Sequence, residues 1–373
     1  MEYVQERVTT LHDFGGSRPA VDTDGTAVVL PMTEKEARSP VTTRILRGLE
    51  EVGPGRVVVP LRTAPARTAR VRDWLAGFDL SVTVLPSEGP TLAERLREGG
   101  VTAPPGKGRD VWLGLGVAAA DHEHVICHDA DTASDTRPFV PRLLFPLERG
   151  FQFSKGYYAR VEDGRLFGRL FRLLYTPLVR AIADTGRGDA AVLRYLSGFR
   201  YALAGEFGMT ADLARSLRVE PRWGLEVGTL GDAFAAAGTE GSAQVDLGRY
   251  RHDHRGVDGP GGLATMATDV AAALFRVLES HGVDPDYARL PAAYREAGHR
   301  LVDQYAADAA FNDLAYDPAA ERDQVAAYAA AIAPPGPDDR LPAWADCDLT
   351  PEAVLAAARA DLTGAPEAGS AED

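Results

Sequence analysis

Two acidic residues one position apart, Asp129 and Asp131, follow the apolar run Val125-Ile126-Cys127. A short apolar run of this kind is typical of a buried strand, and ligands of open α/β sheets bind outside the carboxyl ends of the strands. Carboxylates are hard oxygen ligands for a divalent cation, which neutralises the phosphates of a bound diphosphate. The pair therefore indicates a cation and diphosphate site, with a solvated turn as the alternative.

The segment Gly106-Lys107-Gly108 precedes a predicted helix and suits an anion. Glycines let the backbone approach a ligand, the start of a helix favours negative charge, and the lysine adds a positive charge. The spacing is not that of a Walker A loop, and a simple loop-tip turn is the alternative.

Lysine is scarce in this chain, which has three lysines beside 37 arginines. All three lie in or beside predicted ligand loops: Lys35, Lys107 and Lys155. This coincidence favours a functional role, although Lys155 could also be a surface lysine on an edge strand.

Three arginines have the i, i+4, i+7 spacing of one helix face: Arg165, Arg169 and Arg172. They form either a solvated face or a clamp for phosphate or carboxylate, since the arginine fork matches those anions bidentately. Farther along, Glu206 and Glu226 each follow a glycine segment. Trp223 could stack on a sugar and Glu226 could accept hydrogen bonds from sugar hydroxyls, with a core tryptophan and a capping glutamate as the alternative.

Histidines offer a second type of metal ligand. The strand predicted over 243–250 ends near His252, whose imidazole could complete a divalent site begun by carboxylates elsewhere. A different hypothesis is a phosphohydrolase metal cluster made by His122, His124, His128 and Asp129. Alternation along a strand places the three histidines on one face and Asp129 on the other, which argues against that cluster.

The elements that must position these residues alternate between strand and helix lengths from 26 to 129. This predicts βαβ units and an α/β fold with a mostly parallel sheet flanked by helices. We predict strands at 27–31, 56–61, 80–85, up to 129, 152–157 and 243–250. We predict helices at 42–51, 66–76, 91–98, 110–120, 166–183, 263–282, 290–332 and 351–362.

These segments suggest four regions. Residues 1–24 are an irregular lead-in, and 25–258 form the catalytic domain, with a nucleotide-binding half to about 132 and an acceptor half after it. Residues 259–362 form a helical C-terminal section, followed by a disordered tail over 363–373.

The bulk properties exclude some classes of partner. A formal net charge of −14 argues against a nucleic-acid partner, because no basic excess is available to displace counterions. No apolar run approaches membrane-spanning length and the N-terminus lacks a signal-peptide pattern, so we expect a cytoplasmic protein. The two cysteines, Cys127 and Cys347, lie far apart in sequence and are expected to be free thiols.

Taken in order, eight motifs resemble those of the retaining GT-A glycosyltransferases that make glucosyl-3-phosphoglycerate and of the related mannosylglycerate synthases. They are Val28 to Pro31, Gly106 to Gly108, Asp129 to Asp131, Lys155, Gly168-Arg169, Gly205-Glu206, Gly224 to Glu226 and Leu247 to His252. The resemblance covers roughly residues 26–285. It implies a GT-A-like fold, a Rossmann-like sheet with a helical C-terminal extension, and suggests a homodimer.

The resemblance also implies roles for single residues. Asp129 would contact the ribose, and Asp131 and His252 would hold the cation, Mg²⁺ or Mn²⁺. The nucleotide and donor residues are Pro31, Glu34, Lys107, Asp129, Gly205 and Glu206. The acceptor residues are Lys155, Gly168, Arg169, Arg172 and Trp223. Glu226 is assigned with Asp131 to the catalytic set, where it would hold the donor sugar or position the acceptor.

Two departures from the family pattern leave parts of the substrate open. Phe171 stands where the family has a threonine that helps to hold the acceptor phosphate, although Arg165 or Arg172 could compensate. The second strand ends in Pro60-Leu61-Arg62, where the family usually has an Asp/Ser-rich turn that touches the nucleotide.

The sequence thus predicts a metal-dependent, retaining hexosyltransferase that uses a nucleotide-sugar donor and a small acidic acceptor. The leading pair is UDP-glucose with 3-phosphoglycerate, and the nearest alternative is GDP-mannose with glycerate. Two other classes remain: a metal-dependent phosphohydrolase, and a sugar-nucleotide-binding protein without turnover.

Overall fold

The computed structural model describes residues 5–187, 190–251 and 262–364. Eleven strands lie within these ranges: β1 Thr9–Leu11, β2 Thr26–Val29, β3 Met32–Thr33, β4 Arg56–Arg62, β5 Val82–Pro86, β6 His124–Cys127, β7 Phe153–Ala159, β8 Val161–Glu162, β9 Arg165–Leu166, β10 Phe207–Thr210 and β11 Ser242–Arg249.

Thirteen α-helices lie in the same described ranges: α1 Pro40–Val52, α2 Pro65–Leu75, α3 Pro90–Glu98, α4 Lys107–Asp121, α5 Phe139–Leu147, α6 Thr176–Ile182, α7 Ala191–Leu196, α8 Ala211–Ser216, α9 Leu225–Ala237, α10 Leu263–Ser280, α11 Leu290–Phe311, α12 Pro318–Tyr328 and α13 Pro351–Thr363. Two π-helical segments, Leu170–Tyr175 and Ala183–Arg187, flank α6. None of the helices in this part of the chain has the length and apolar character needed to span a bilayer.

Nine of the strands form one sheet in the order β1-β11-β7-β10-β6-β2-β4, with β3 and β5 both paired to β4. Every pairing in this sheet is parallel except those of β10, which runs antiparallel to both β6 and β7. The mostly parallel α/β sheet predicted from the sequence is therefore confirmed.

The sheet is buried on both faces. Along β2, Val28 belongs to the core shared with α1, α2 and α5, whereas Val29 belongs to the core shared with α4 and the C-terminal helices. Successive side chains of a strand point to opposite faces. A strand covered on both sides must therefore be apolar throughout, which explains the continuous apolar runs in the sequence.

Most predicted elements are present, and three predictions are wrong. The helix predicted over 166–183 begins only at Leu170, because Gly168 has φ +76° and the preceding residues pair as β8 and β9. The helix predicted over 290–332 is two helices, separated near Asp313 (φ +53°). The third is the irregular lead-in, which contains β1, paired with β11. Strands β3, β8, β9 and β10 and helices α5, α7, α8 and α9 have no counterpart among the predicted elements.

The C-terminal segment packs on the first half of the chain. Trp344 stacks on Trp112 with ring centroids 4.6 Å apart. The indole N–H of Trp344 donates to the Trp112 carbonyl, and the indole N–H of Trp112 donates to the Pro342 carbonyl, both at 2.8 Å. A Cβ at Gly116 would overlap the Trp344 ring. Asp361 in α13 accepts hydrogen bonds from the Thr91 and Leu92 amides at the start of α3, both at 2.8 Å. The helical section thus completes the core beside the first strands.

Both cysteines are free thiols, Cys127 buried and Cys347 half-buried. The boundary predicted at 258/259 and the predicted tail from residue 365 onward lie outside the described residues.

Replacing the stacked indole tests this packing. Trp344→Ala should lower the free energy of unfolding by about 3–5 kcal/mol, because the surrounding core cannot fill the cavity. Phe311→Ala is the control: its ring is 89% exposed, and surface changes are usually within about 0.5 kcal/mol. Urea unfolding followed by circular dichroism measures both, and equal losses in the two variants would contradict the packing described.

Candidate active site

Four charged residues from four separate segments lie at one edge of the sheet: Lys107, Asp129, Glu206 and Glu226. Asp129 follows the carboxyl end of β6. Helices α4 and α9 lead into parallel strands, so their first turns, which carry Lys107 and Glu226, start at that same edge. Because β10 runs antiparallel, its start beside Glu206 also lies there.

Lys107 forms ion pairs with two carboxylates. Its Nζ lies 2.8 Å from Asp129 Oδ1 and 3.4 Å from Glu226 Oε1, and all three side chains are at most one-third exposed. Burial alone would lower the pKa of Lys107, but the two carboxylates together raise it well above its ordinary value. The lysine therefore stays charged at neutral pH and keeps two acidic groups close together.

The glycine after Lys107 has a steric role. A Cβ at Gly108 would lie 2.7 and 2.8 Å from the backbone C and Cα of Pro221, a spacing that real side chains do not tolerate. Glycine thus lets the first turn of α4 lie against the segment that leads into α9, and this approach brings Lys107 within reach of Glu226.

Gly205 is in direct contact with Asp129. A Cβ at position 205 would overlap the Asp129 carboxylate, so only glycine lets the backbone lie against that group. The Gly-Glu motif is therefore part of the wall of the Asp129 pocket.

Glu206 is completely buried, and its carboxylate oxygens meet no hydrogen-bond donor at normal geometry among the described residues. The pKa of Glu206 is raised to about 8, mainly by burial. The nearby charge of Asp129 also raises this pKa, and its effect is larger than the opposing effect of Lys107. A ring stack lies close by, with Tyr158 and Tyr250 centroids 4.1 Å apart. Sequence analysis missed these tyrosines, because the stack joins two different strands.

Lys155 is also completely buried, and its Nζ donates to the Ala204 carbonyl at 2.6 Å. Burial lowers its pKa to about 8 against the opposing effect of Glu226 and Glu206. Strand β7 lies between β11 and β10. The alternative of a surface lysine on an edge strand is therefore wrong, and the acceptor role predicted for Lys155 requires a group that reaches the protein interior.

The loop after Asp131 is hydrogen-bonded to the end of β11. Arg251 O accepts from the Ala133 amide at 2.7 Å and from Thr132 Oγ1 at 3.2 Å, and Ser134 Oγ accepts from the Arg251 amide at 2.8 Å. His252, the predicted metal ligand, is the next residue and lies outside the described residues. The described chain thus joins the acidic loop to the segment that leads into His252.

A cleft of about 390 Å³ lies beyond the carboxyl ends of β3, β4 and β5, and Glu34 lines it together with Thr33, Lys35, Arg62, Thr63, Ala64 and Glu88. Glu34 pairs with Arg67. Arg62 Nε lies 3.1 Å from the buried Asp110, whose pKa burial raises to about 6 despite that arginine. Pro31 lies in the short link between β2 and β3, two residues before Thr33, which lines the cleft. The donor roles predicted for Pro31 and Glu34 stay predictions.

The predicted arginine stripe is wrong. Arg165 lies in β9, and the positive φ of Gly168 separates it from the helix that carries Arg172. The Arg172 fork donates to both carboxylate oxygens of Glu321 at 2.7 Å, and its Nε donates to Phe167 O at 2.9 Å. Both partners of this ion pair are nearly buried. Arg172 therefore joins two helical segments and is not available as an acceptor clamp.

The other predicted acceptor residues differ in exposure. Trp223 is 46% exposed, as stacking on a ligand requires, and a core tryptophan at this position is wrong. Phe171 packs against Tyr201 with centroids 4.8 Å apart, and a Cβ at Gly168 would lie 2.9 Å from the Tyr201 hydroxyl. The acceptor roles of Gly168, Arg169 and Trp223 stay predictions.

The structure does not assemble the alternative histidine cluster. His122 follows α4 and His124 begins β6, whereas His128 lies past the other end of that strand, stacked on Phe139. Within 5–187, 190–251 and 262–364, no group of three or more His, Cys, Asp or Glu side chains could hold a metal ion. The phosphohydrolase hypothesis therefore lacks a site in these ranges.

Comparisons with known proteins show which family the chain resembles in sequence and in fold. No protein-family model matches the chain. Glucosyl-3-phosphoglycerate synthase from Methanococcoides burtonii is 32% identical over 91% of this chain and 90% of its own. The chain belongs to the glucosyl-3-phosphoglycerate synthase family. The synthase from Persephonella marina is 33% identical over 82% of this chain and 79% of its own.

A solved structure of the family agrees in fold. Glucosyl-3-phosphoglycerate synthase from Mycobacterium tuberculosis, in complex with Mn²⁺, UDP-glucose and phosphoglyceric acid, is 25% identical. It superposes with a TM-score of 0.54 over 75% of this chain and 89% of that one. The GT-A-like fold and the family resemblance inferred from the eight motifs are confirmed.

Glu206 should make stability depend on pH. The folded chain keeps its proton up to about pH 8, whereas the unfolded chain releases it near 4.5. The folded state thus binds more protons in this window, and the free energy of unfolding falls as pH rises, by at most about 1.4 kcal/mol per unit. Glu206→Gln should remove this slope in denaturant unfolding between about pH 5 and about pH 7.5. An unchanged slope in the variant would disprove the assignment.

The Arg172–Glu321 pair should behave as a structural ion pair. Arg172→Met or Glu321→Leu alone should lower the free energy of unfolding by about 3–5 kcal/mol, because each leaves a buried charge unpaired. The double variant should be more stable than either single variant, since no charge remains buried. Near-parental stability of Arg172→Met alone would contradict this role.

Proposed function

We propose that this chain transfers glucose from UDP-glucose to 3-phosphoglycerate with retention of anomeric configuration, and that it depends on a divalent cation. The proposal assigns catalysis to residues 25–258, with 259–362 as a helical extension. The observation that carries it is the hydrogen bonding of the loop after Asp131 to Arg251, the residue before His252. Family membership supplies the substrate classes, since the related M. tuberculosis enzyme was solved with UDP-glucose, phosphoglyceric acid and Mn²⁺.

The residues present fit a divalent cation. A carboxylate and an imidazole are ordinary ligands of Mg²⁺ or Mn²⁺ when phosphate oxygens complete the set, and Asp131 and His252 would supply them. When bound, the cation would offset the negative charge of the departing UDP as a Lewis acid.

Lys107 has two tasks in this proposal. It holds Asp129 and Glu226 in place through its two ion pairs, so that Asp129 can accept from a ribose hydroxyl and Glu226 from a glucose hydroxyl. It also lowers the net negative charge of a pocket that must admit a diphosphate. Removing such a cation would leave two carboxylates facing an anionic ligand.

The chemistry needs no protein base. The C1–O bond to the β-phosphate breaks as the acceptor hydroxyl forms a new bond to C1 from the same side, and the β-phosphate oxygen takes the hydroxyl proton. The protein's contribution is to orient donor and acceptor and to fix charges around the phosphates. Because Arg172 is paired to Glu321, the proposal assigns the contact with the acceptor phosphate to Arg169.

The predictions on assembly and location belong to the same proposal. A homodimer is expected from the family resemblance, and the absence of a nucleic-acid partner from the net charge of −14. A cytoplasmic location is expected from the apolar pattern of the sequence. Light scattering coupled to size-exclusion chromatography measures the molar mass and therefore shows whether the protein is a dimer.

A panel of donors and acceptors, read by mass spectrometry with Mg²⁺ or Mn²⁺, tests the activity. We expect a hexosylated phosphoglycerate from UDP-glucose and 3-phosphoglycerate, and no release of glucose or phosphate without an acceptor. Product only from GDP-mannose and glycerate would replace the substrate pair. Nucleotide binding without product under any acceptor would refute the transferase proposal.

The metal ligands are tested by UDP binding in titration calorimetry with Mn²⁺. Asp131→Ala should abolish the cation-dependent part of binding and His252→Ala should weaken it about 10-fold or more. Asp135→Ala is the matched control, because Asp135 lies in the same loop but pairs with Arg137. Parental affinity in both ligand variants would show that the metal assignment is wrong.

A further inference from the structure

Lys155 has a chemical role that differs from the one its motif implies. We propose that Lys155 is a positioning residue of the donor site, which holds the Ala204–Glu206 segment against the Asp129 carboxylate. The inference deepens the proposed function and rests on it, because Asp129 is the residue expected to contact the donor.

The lysine is inside the sheet, where a mobile acceptor cannot reach it. In β7, Lys155 is opposite Phe207 of β10 and Gln244 of β11. Its side chain is 0% exposed, and its ammonium lies 5.1 Å from the centre of the Phe207 ring. A buried lysine is costly unless its charge is satisfied, so its partner in the fold explains why it is there.

That partner is a backbone carbonyl at the start of β10. The 2.6 Å hydrogen bond from Lys155 Nζ to Ala204 O is charge-assisted and lies wholly inside the protein. The same strand pairing is reinforced one step later, where the Gly156 amide donates to Glu206 O at 2.9 Å. Lys155 and its neighbour thus fix the segment on both sides of Gly205.

Gly205 transmits this constraint to the donor site. Its Cα lies so close to Asp129 that a Cβ would overlap the carboxylate. The same carboxylate is held by Lys107, whose Nζ lies 2.8 Å from Oδ1 and 3.1 Å from Oδ2. Asp129 is therefore fixed between a lysine and a backbone segment, and Lys155 determines where the segment lies.

The charges of the region agree with this role. Asp129, Glu206 and Glu226 bring three carboxyl groups together, and Lys107 alone contacts two of them. Lys155 adds a second amine behind Glu206 and Glu226, whose carboxylates favour its charged form. Without Lys155, the buried carboxyl group of Glu206 would remain, but the buried amine closest to it in the pairing of β7 with β10 would be lost.

The test compares Lys155→Met, Gly205→Ala and the double variant by UDP affinity with Mn²⁺ and by the KM values of both substrates. Loss of an outer-shell partner typically costs 10–100-fold in affinity or activity. We expect each single variant to weaken UDP binding about 10-fold or more and to raise the donor KM, with the acceptor KM unchanged. Both substitutions disturb the same contact. The double variant should therefore bind UDP only slightly more weakly than whichever single variant has the lower UDP affinity.

Ser154→Ala is the matched control. Ser154 precedes Lys155 in β7, is equally buried and has a hydroxyl without a hydrogen-bond partner among the described residues. Its removal should leave both KM values and the UDP affinity at parental levels. If Lys155→Met does not fold, Lys155→Gln, which keeps a donor of shorter reach, is measured in its place with the same expectation.

Two results would overturn the inference. A raised acceptor KM with parental UDP affinity in the Lys155 variant would show that the lysine binds the acceptor. Strictly additive losses in the double variant would show that Lys155 does not act through Gly205. Failure of the proposed function is distinguished by the parent protein, which would then form no product from UDP-glucose and 3-phosphoglycerate, whereas the UDP affinities of the variants would still test the positioning role of Lys155.

Discussion

The Lys107 ammonium between Asp129 and Glu226 is the contact on which the site depends. The two carboxylates come from a loop after a strand and from the first turn of a helix, and alone they would repel each other. A shared cation turns that repulsion into an attraction, which is strong because the group is partly removed from water. Gly108 makes the contact sterically feasible. The fold thus brings acidic groups together at one edge, with a lysine between two of them.

One reversed strand gives this edge its chemistry. If β10 ran parallel to its neighbours, Gly205 and Glu206 would lie at the opposite end of the sheet from Asp129. Because it runs antiparallel, the start of β10 lies beside the carboxyl end of β6. The same strand brings Lys155 beneath the site through pairing with Phe207. The price in stability is a buried carboxyl group and a buried amine, a combination that is common at functional sites.

The sequence predicted the periodic parts of the fold and missed the irregular ones. Strands β2, β4 and β6 each contain a continuous apolar run because helices cover both faces of the sheet. Such a run is visible in a short window of the sequence. In contrast, β10 has only four residues, and the arginine spacing at 165, 169 and 172 suggested a helix that Gly168 prevents. A local period cannot show a glycine forced to positive φ by its surroundings, nor a carboxylate partner such as Glu321 that lies far along the chain.

By itself, the sequence determined the family and the parallel sheet, and it singled out the charged residues that meet at one edge of that sheet. These follow from residue types in a fixed order and from apolar periodicity, both of which are local properties. Only the tertiary structure decided which charges pair: Lys107 with two carboxylates, Arg172 with Glu321, and Lys155 with a backbone carbonyl. Pairing depends on distance and burial, and those arise when segments distant in sequence pack together.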